Sequence, residues 1–256
     1  MLKIALSGCN GRMGHVITDI VSKHKNMQIV AGFDVNTAKN SDFPVFSDPF
    51  EFIGACDVII DFSNATSTEH LLAYCCQHKI PIVICTTGHS SEQLQNIRAA
   101  SQDIAVFRSG NMSLGINLMV ELLKKSASIL GDKFDIEIIE QHHNQKLDAP
   151  SGTALMLAEA VSEALPYQPD YVYDRHERRE KRPAHEIGIH TVRGGTIVGE
   201  HSVLFCGRDE IIEIKHTALS REVFAVGAVD AAAYMAGCNQ PGMYDMSDVI
   251  ASKSDI

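Results

Sequence analysis

The chain has 256 residues, 45% of them hydrophobic, and a formal charge of −10. That length suits one large domain or two smaller ones. The acidic balance argues against a general nucleic-acid binder, while leaving room for a local positive pocket. No apolar run approaches the ~20 residues that span a bilayer, and the N-terminus has no signal-peptide pattern. The seven cysteines include no C-x-x-C pair, so they read as reduced, small apolar residues of a cytoplasmic protein.

Lys3-Ile4-Ala5-Leu6 is a short apolar run that reads as a buried strand. It leads into Gly8-Cys9-Asn10-Gly11-Arg12-Met13-Gly14, and HVITDIVSK follows with apolar residues at helical spacing. Strand, glycine turn and helix open a dinucleotide-binding unit, because glycines let the backbone approach a pyrophosphate at a helix N-terminus. The spacing is G-x-x-G-x-x-G, and a glycine turn alone is weak. The next strand, Gln28 to Phe33, strengthens it by ending in Asp34, twenty residues after Gly14. An acid there accepts hydrogen bonds from ribose hydroxyls.

To about residue 108 strands and helices alternate. Strand Asp57–Phe62 precedes helix Ser67–His78, strand Ile80–Cys85, helix Ser91–Ala100 and strand Ile104–Phe107. This rhythm predicts an α/β fold with a parallel sheet and crossover helices. Ligands bind such sheets at the carboxyl ends of the strands. The Asp61–Asn64 turn, Thr86-Thr87-Gly88 and Ser109-Gly110-Asn111-Met112 are therefore candidates to line a site, although each also suits an ordinary turn.

After residue 112 the character changes. A long amphipathic helix, Leu114 to Leu130, leads into a strand from Phe134 to Glu140 and then into EQHHNQKLDAPSGTA, residues 140–154. His142 and His143 bring imidazoles that exchange protons near neutral pH. Lys146 is a point charge for a carboxylate. Ser151-Gly152-Thr153 stands at a predicted helix start, where free N–H groups bind anions; Ser151 equally serves as a plain helix cap. If the segment curls after its strand, both histidines and the lysine face one pocket. Residues 166–183 combine prolines with dense charge and read as an exposed loop. HEIGIHTVRG, GEHSVLFCG and EIIEIKHTA, with Gly194-Gly195 and Gly207-Arg208-Asp209 between them, predict an antiparallel meander. Arg221 to Ala236 reads as a small-residue helix suited to close packing against the nucleotide-binding domain.

GCNGRMG, CTTG, NMSLGIN, EQHHNQKLDAPSGTA, VRGG, GEH and SREVFAVGAVDAA together resemble the 4-hydroxy-tetrahydrodipicolinate (dihydrodipicolinate) reductase family, from residue 3 to about 242. The resemblance implies a Rossmann-like domain of residues 1–112 and 223–256. It also implies an α+β substrate-binding and oligomerisation domain, 113–222, with an open mixed sheet that builds a homotetramer. The implied reaction is NAD(P)H-dependent reduction of a cyclic imine dicarboxylate with loss of water, in lysine biosynthesis by the diaminopimelate pathway. His142 is then the proton donor and Lys146 the second catalytic residue. His143, with Lys146, holds a substrate carboxylate, which Ser151, Gly152 and Thr153 grip. Gly8, Cys9, Asn10, Gly11, Arg12, Met13, Asp34, Cys85, Thr86, Thr87, Ser109, Gly110, Asn111 and Met112 contact the cofactor. No metal, membrane or nucleic-acid partner is implied.

Three positions depart from the family pattern. Val35 stands where many relatives carry a basic residue, Cys85 where glycine is usual and Met112 where phenylalanine is common. With Val35 beside Asp34, no adjacent arginine compensates a 2′-phosphate, so NADH is expected over NADPH; Arg12 and Lys39 are the possible counter-charges. Three rival readings stand beside this one. They are another two-domain dehydrogenase for homoserine or a sugar acid, a non-enzymatic NAD(H) sensor, and a metal protein built on His185-Glu186 and His190. The last has one residue too many for H-E-x-x-H.

Overall fold

The computed structural model describes residues 1–38 and 42–254; Lys39 lies outside them. The chain divides into two compact units, Met1–Ser113 with the segment from Glu222 onward, and Leu114–Arg221. Elements are numbered along the whole chain.

The first unit contains β1 (Leu2–Ser7), β2 (Met27–Phe33), β3 (Val45–Phe46), β4 (Val58–Asp61), β5 (Ile82–Ile84), β6 (Ala105–Arg108) and β12 (Gly242–Tyr244). All pair in parallel, in the order β12-β6-β5-β4-β1-β2-β3. Its helices are α1 (Arg12–Ser22), α2 (Ala65–His78), α3 (Ser91–Ala100), α6 (Glu222–Met235) and α7 (Met246–Ser254). The central strands are apolar because both faces of the sheet are covered. Ile4, Leu6, Val58, Ile59 and Ile60 are wholly buried, each contributing about 1.5–3 kcal/mol. Local caps fix the helix starts. Asn64 accepts from the N–H groups of Thr66 and Ser67, and Ser90 with Gln93 forms a capping box. Helix α6 packs on α1, β4 and β5 through Ala225, Gly227, Ala228, Ala231 and Ala232. A Cβ on Gly227 would strike the Met112 carbonyl. The strand order reverses at β1 and β4, whose last residues, Ser7 and Asp61, are paired. Ligands of open α/β sheets bind at such a switch point.

The second unit contains α4 (Leu114–Leu130), β7 (Asp135–His142), α5 (Gly152–Ala164), β8 (Asp170–Val172), β9 (Glu186–Arg193), β10 (Gly199–Cys206) and β11 (Ile211–Ala218). The sheet order is β11-β10-β7-β9-β8. This corrects the expected meander. Strands β10 and β11 form an antiparallel hairpin, but β9 does not pair with β10; β7 lies between them, parallel to β9 and antiparallel to β10. Stepping over one strand covers about 9.6 Å, well within the ~16 Å reach of residues 194–198. The loop is tied to the end of β7, where the N–H of Gly194 donates to the His142 carbonyl and the N–H of Asn144 to the Gly195 carbonyl. Alternating strand patterns look the same for either topology.

The expected exposed loop at 166–183 holds for 173–181, which is exposed apart from half-buried Arg175, but the stretch also contains β8 and three of its arginines are anchored. Arg182 donates to Asp135 at 2.7 Å and Glu137 at 2.9 Å, and to the carbonyls of Ile136 and Glu186. Arg175 and Arg178 pair with the buried Glu186. The core of this unit joins Met119, Leu123 and Ala127 of α4 to Leu157 and Val161 of α5, over Ile136, Ile138, Ile189, Val203 and Phe205 of the sheet.

Candidate active site

At the end of β7, Glu140 and His142 point to the same face because strand side chains alternate. Glu140 is fully buried. Its Oε2 lies 2.6 Å from Nδ1 of His142 and accepts from Arg193 Nη1 at 2.8 Å. Its Oε1 accepts from Arg193 Nη2 at 2.8 Å, the N–H of Ser151 at 3.0 Å and the Thr191 hydroxyl at 3.1 Å. One carboxylate thus ties β7, β9 and the start of α5 together. Arg193 also donates to the carbonyl of Asp148.

Ser151 does cap α5, its hydroxyl accepting from the N–H of Ala154 at 3.1 Å, and it also meets Nε2 of His201 at 3.1 Å. With its N–H on Glu140, Ser151 is committed inside the unit, and Gly152 is the exposed residue of the helix start. A Cβ on Gly152 would meet nothing within 4 Å. Lys146 Nζ pairs with Asp148 at 2.9 Å. The expected grouping is partly realised. Lys146 influences His142 electrostatically, whereas His143 bonds Arg221 through Nε2 at 3.2 Å and accepts from the N–H of Gln145 through Nδ1.

Burial alone pushes the Glu140 carboxyl up, but the hydrogen bonds from Arg193, His142 and Ser151, with the charge of Arg193, outweigh it and hold the group at about 2. Burial pushes His142 below the ordinary imidazole value; Glu140 opposes this, while Lys146 and Arg193 add to it. His201 falls to about 4, from burial first and then the charge of His142. The two rings lie 5.1 Å apart, edge to face. Both imidazoles are therefore neutral at pH 7 in the unliganded chain. Glu140, ionised, can only accept, so the Nδ1 of His142 carries a proton and its Nε2 is the exchangeable position. That atom faces Gly199, whose Cβ, if present, would lie 3.1 Å away.

In the first unit, Gly8 has φ +77°, and a Cβ there would lie 2.5 Å from the Phe62 carbonyl. A Cβ on Gly14 would strike the carbonyls of Gly8 and Cys9. Helix α1 starts at Arg12 behind Gly11, with no side-chain cap on its first N–H groups. Arg12 is exposed and Met13 half-buried. Asp34 accepts from the N–H groups of Asn10 and Asn36, both at 3.0 Å, and the Asn10 amide bonds the carbonyls of Asn36 and Ala38. Cys9 is buried; burial and then the charge of Asp34 push its thiol up to about 11. A cleft of about 450 Å³ runs past Gly8, Gly11, Asp34, Ser63, Asn64 and His70.

The ends of β1, β4, β5 and β6 stand in register, Ser7 beside Asp61, Asp61 beside Ile84 and Ile84 beside Arg108. The loops that leave them therefore emerge from one edge of the sheet. Buried Asp61 organises two of these loops, accepting from Ser63 and from the Thr86 hydroxyl at 3.0 Å. The Cys85 N–H donates to the Asp61 carbonyl. Thr87 and Gly110 are exposed, Ser109 and Asn111 half-buried, and Met112 is buried. Asn111 accepts from the N–H of Ser113.

Sequence reasoning gave no role to Thr191, Arg193, Gly199 or His201, nor to Glu140. The available signal was the two-residue spacing of Glu140 and His142: a buried acid beside a buried imidazole demands a cation, and VRGG supplies one. The histidines of the metal reading are otherwise engaged. His185 stacks on Tyr167 at 4.0 Å, and His190 bonds Glu137 at 2.8 Å. Among the described residues, no group of three His, Cys, Asp or Glu is placed to hold a metal ion.

A glycine turn at the switch point of a parallel sheet, with a second α+β unit carrying a buried acid–imidazole pair, defines a Rossmann-type nucleotide-dependent oxidoreductase. Family models described as the N-terminus and the C-terminus of dihydrodipicolinate reductase match residues 2–112 and 115–250. The chain belongs to the dihydrodipicolinate reductase family. It is 49% identical over 252 residues to the 4-hydroxy-tetrahydrodipicolinate reductase of Clostridium tetani, covering 98% of each chain. The same enzyme of Caldanaerobacter subterraneus is 49% identical over 250 residues, again with 98% of each chain covered. Among solved structures, dipicolinate-bound dihydrodipicolinate reductase from Paenisporosarcina superposes with a TM-score of 0.77 at 26% identity, covering 96% of this chain and 97% of that one. A myo-inositol dehydrogenase of Corynebacterium glutamicum, at 16% identity and a TM-score of 0.58 over 99% and 94% of the two chains, shares the fold alone.

Proposed function

We propose that this chain catalyses the pyridine-nucleotide-dependent reduction of 4-hydroxy-tetrahydrodipicolinate to tetrahydrodipicolinate, with loss of water, in the diaminopimelate route to lysine. The observation that carries this is the buried Glu140–His142 pair beside Lys146 and joined to the start of α5, in a chain 49% identical to reductases of that name. A doubly charged acid needs cations and N–H donors, and hydride addition to a conjugated imine leaves negative charge on a neighbouring enamine carbon, which needs a proton nearby.

His142 delivers that proton from Nε2. In the unliganded chain Lys146 and Arg193 help to keep the ring neutral. A bound dianion cancels their charge and favours imidazolium, so the donor is loaded when substrate arrives. Lys146 exchanges Asp148 for a substrate carboxylate. Gly152, whose N–H also bonds Asp148, makes the same exchange beside Thr153, Ser151 holds that helix start in place, and His143, whose ring accepts from Arg221 and the Gln145 N–H, releases Arg221 to donate from Nε2.

The residues of the first unit fit a dinucleotide. The close approaches at Gly8 and Gly14 leave no room for side chains, the start of α1 is uncapped, and Asp34 closes β2. Gly8 to Met13 would hold the pyrophosphate, Asp34 the ribose diol, and Cys85, Thr86, Thr87 and Ser109 to Met112 the nicotinamide end. When bound, the nicotinamide supplies the hydride. NADH is preferred over NADPH, because Asp34 repels a 2′-phosphate and Val35, 88% exposed, brings no compensating charge.

The protein works in the cytoplasm as a homotetramer. The sheet face of the second unit that bears Ile139, Val192, Leu204 and Ile211 lies opposite the one covered by α4 and α5, and supports that assembly.

The test is a coupled assay in which pyruvate and aspartate semialdehyde pass through the preceding synthase and loss of NADH absorbance is followed. Turnover that requires both precursors supports the assignment; no turnover with fully folded protein removes it in favour of another dehydrogenase or an NAD(H) sensor. Dipicolinate should compete with substrate and weaken as salt rises, because charge-assisted contacts dominate.

A further inference from the structure

We propose that Glu140 is a positioning residue that fixes the proton-delivering tautomer of His142 and locks the substrate-gripping helix start to it. The inference rests on the proton-donor role given to His142 above, and adds what sets that donor. Glu140 touches neither substrate nor cofactor in this scheme and acts through its neighbours.

Geometry carries the case. A fully buried carboxylate has its acceptor sites filled by five donors from three segments. The bidentate Arg193 forces the plane of the carboxylate, since a guanidinium fork matches it in one orientation. That orientation aims Oε2 at Nδ1 of His142 at 2.6 Å and Oε1 at the Ser151 N–H at 3.0 Å. The imidazole then has one arrangement, Nδ1–H toward Glu140 and Nε2 toward the glycine gap at Gly199. In the alternative tautomer Nε2 carries the proton of a neutral ring, which is too weak an acid to protonate carbon, and two acceptors face each other across 2.6 Å. Glu140 therefore excludes the unproductive tautomer.

Arg193 has a second consequence. Its charge cancels that of Glu140, so the pair orients the ring without tethering the proton to it. The charged and titratable groups facing His142 are Glu140 on its own strand, Arg193 on β9, His201 on β10 and Lys146 on the following loop, with His216 of β11 acting on His201. Only Glu140 favours the imidazolium; burial, Lys146 and Arg193 oppose it. Replacing Glu140 with a neutral amide should therefore lower the pH at which His142 loses its proton, besides freeing the ring to turn.

The test uses the full-length protein with 15N-labelled histidine and the variants Glu140→Gln, Glu140→Asp and His142→Gln. In the unsubstituted protein, His142 should show Nδ1–H and an unprotonated Nε2 at neutral pH. An Nε2–H tautomer there overturns the proposal without any variant, so a failure of Glu140→Gln to fold does not protect it. Glu140→Gln should shift His142 toward the Nε2–H form, lower kcat about 10²-fold or more and move the basic limb of kcat to lower pH. Glu140→Asp, which keeps the charge, should recover part of kcat and the Nδ1–H signal. NADH affinity should change less than twofold in all three variants. If Glu140→Gln keeps both the tautomer and kcat while His142→Gln is impaired, the positioning role is refuted and the donor reading survives. If instead His142→Gln keeps full kcat, the donor reading falls and this inference with it, whatever tautomer is seen.

Discussion

Arg193→Leu should open the second unit locally at β7 and β9 while leaving the first unit intact. Arg193 gives Glu140 two of its five hydrogen bonds among the described residues, both at 2.8 Å, and compensates its charge with a permanent one. The fall of the Glu140 carboxyl from its ordinary 4.5 to about 2 corresponds to about 3 kcal/mol of stabilisation at neutral pH. Removing one partner of a buried pair costs about 3–5 kcal/mol, so both routes converge on about 3 kcal/mol, a factor of about 10² in the opening equilibrium. Because the folded value lies below the unfolded one, this stabilisation is complete above about pH 4.5 and is lost as pH falls through about 2. The variant should accordingly differ from the parent at pH 7 and converge with it in acid. Amide hydrogen exchange read on peptides covering 135–142 and 186–193 reports the opening, with peptides of β4 and β5 as internal control. A loss of protection smaller than about fivefold at pH 7, or one shared equally by β4 and β5, would show that the Glu140–Arg193 pair does not carry this free energy.

Gly199→Ala places a methyl 3.1 Å from Nε2 and 3.4 Å from Cδ2 of His142, against a ring whose other side is held by Glu140. Turnover should fall about tenfold or more with little change in melting temperature, and unchanged kcat would mean that the ring yields. His142→Gln should lower kcat about 10²–10⁴-fold with KM comparatively intact, whereas Lys146→Ala should raise KM and lower kcat together. Burial puts His142 below the ordinary imidazole value in the free enzyme, so kcat/KM should fall with rising pH from below about 6.5, and the basic limb of kcat should lie higher once substrate is bound. NADH should exceed NADPH in kcat/KM, and Asp34→Ala should narrow the gap; a parent that favours NADPH removes the role given to Asp34.

Much of the fold was legible because its signals are local. Buried parallel strands such as VIID and IVI announce themselves as apolar runs, and the glycine turn and Asp34 sit at a fixed offset. The errors fall where information is non-local. Whether β9 pairs with β10 or gives way to β7 is decided by a strand some fifty residues upstream, and the alternation of side chains carries no trace of it. Most of the charge in 166–183 is exposed as read, but Arg182 and Arg175 have partners on β7 and β9 that composition does not reveal. Short elements, β3, β8 and β12, have too few residues for a period to show. At the candidate site, the residues that present chemistry to solvent lie in one contiguous motif and could be read directly. Those that hold them, Arg193 and His201, arrive from other strands, and only the paired burial of Glu140 and His142 hints at the need for them.

The central place of β7 has a consequence for how the protein comes to exist. Both of its edges are satisfied by segments made much later, Ile136 pairing with Ile187 and Gln141 with Glu200. On a growing chain, β7 and α5 emerge while their partners are still inside the ribosome. The strand then offers two open edges and the apolar side chains of Ile136 and Ile138, a template for pairing with another chain. Closing loops of this length costs entropy before any contact rewards it. Formation of the second sheet should therefore be the slow phase of refolding. Chains ending before β10 should be caught in aggregates or bound by chaperones rather than stand as smaller active enzymes.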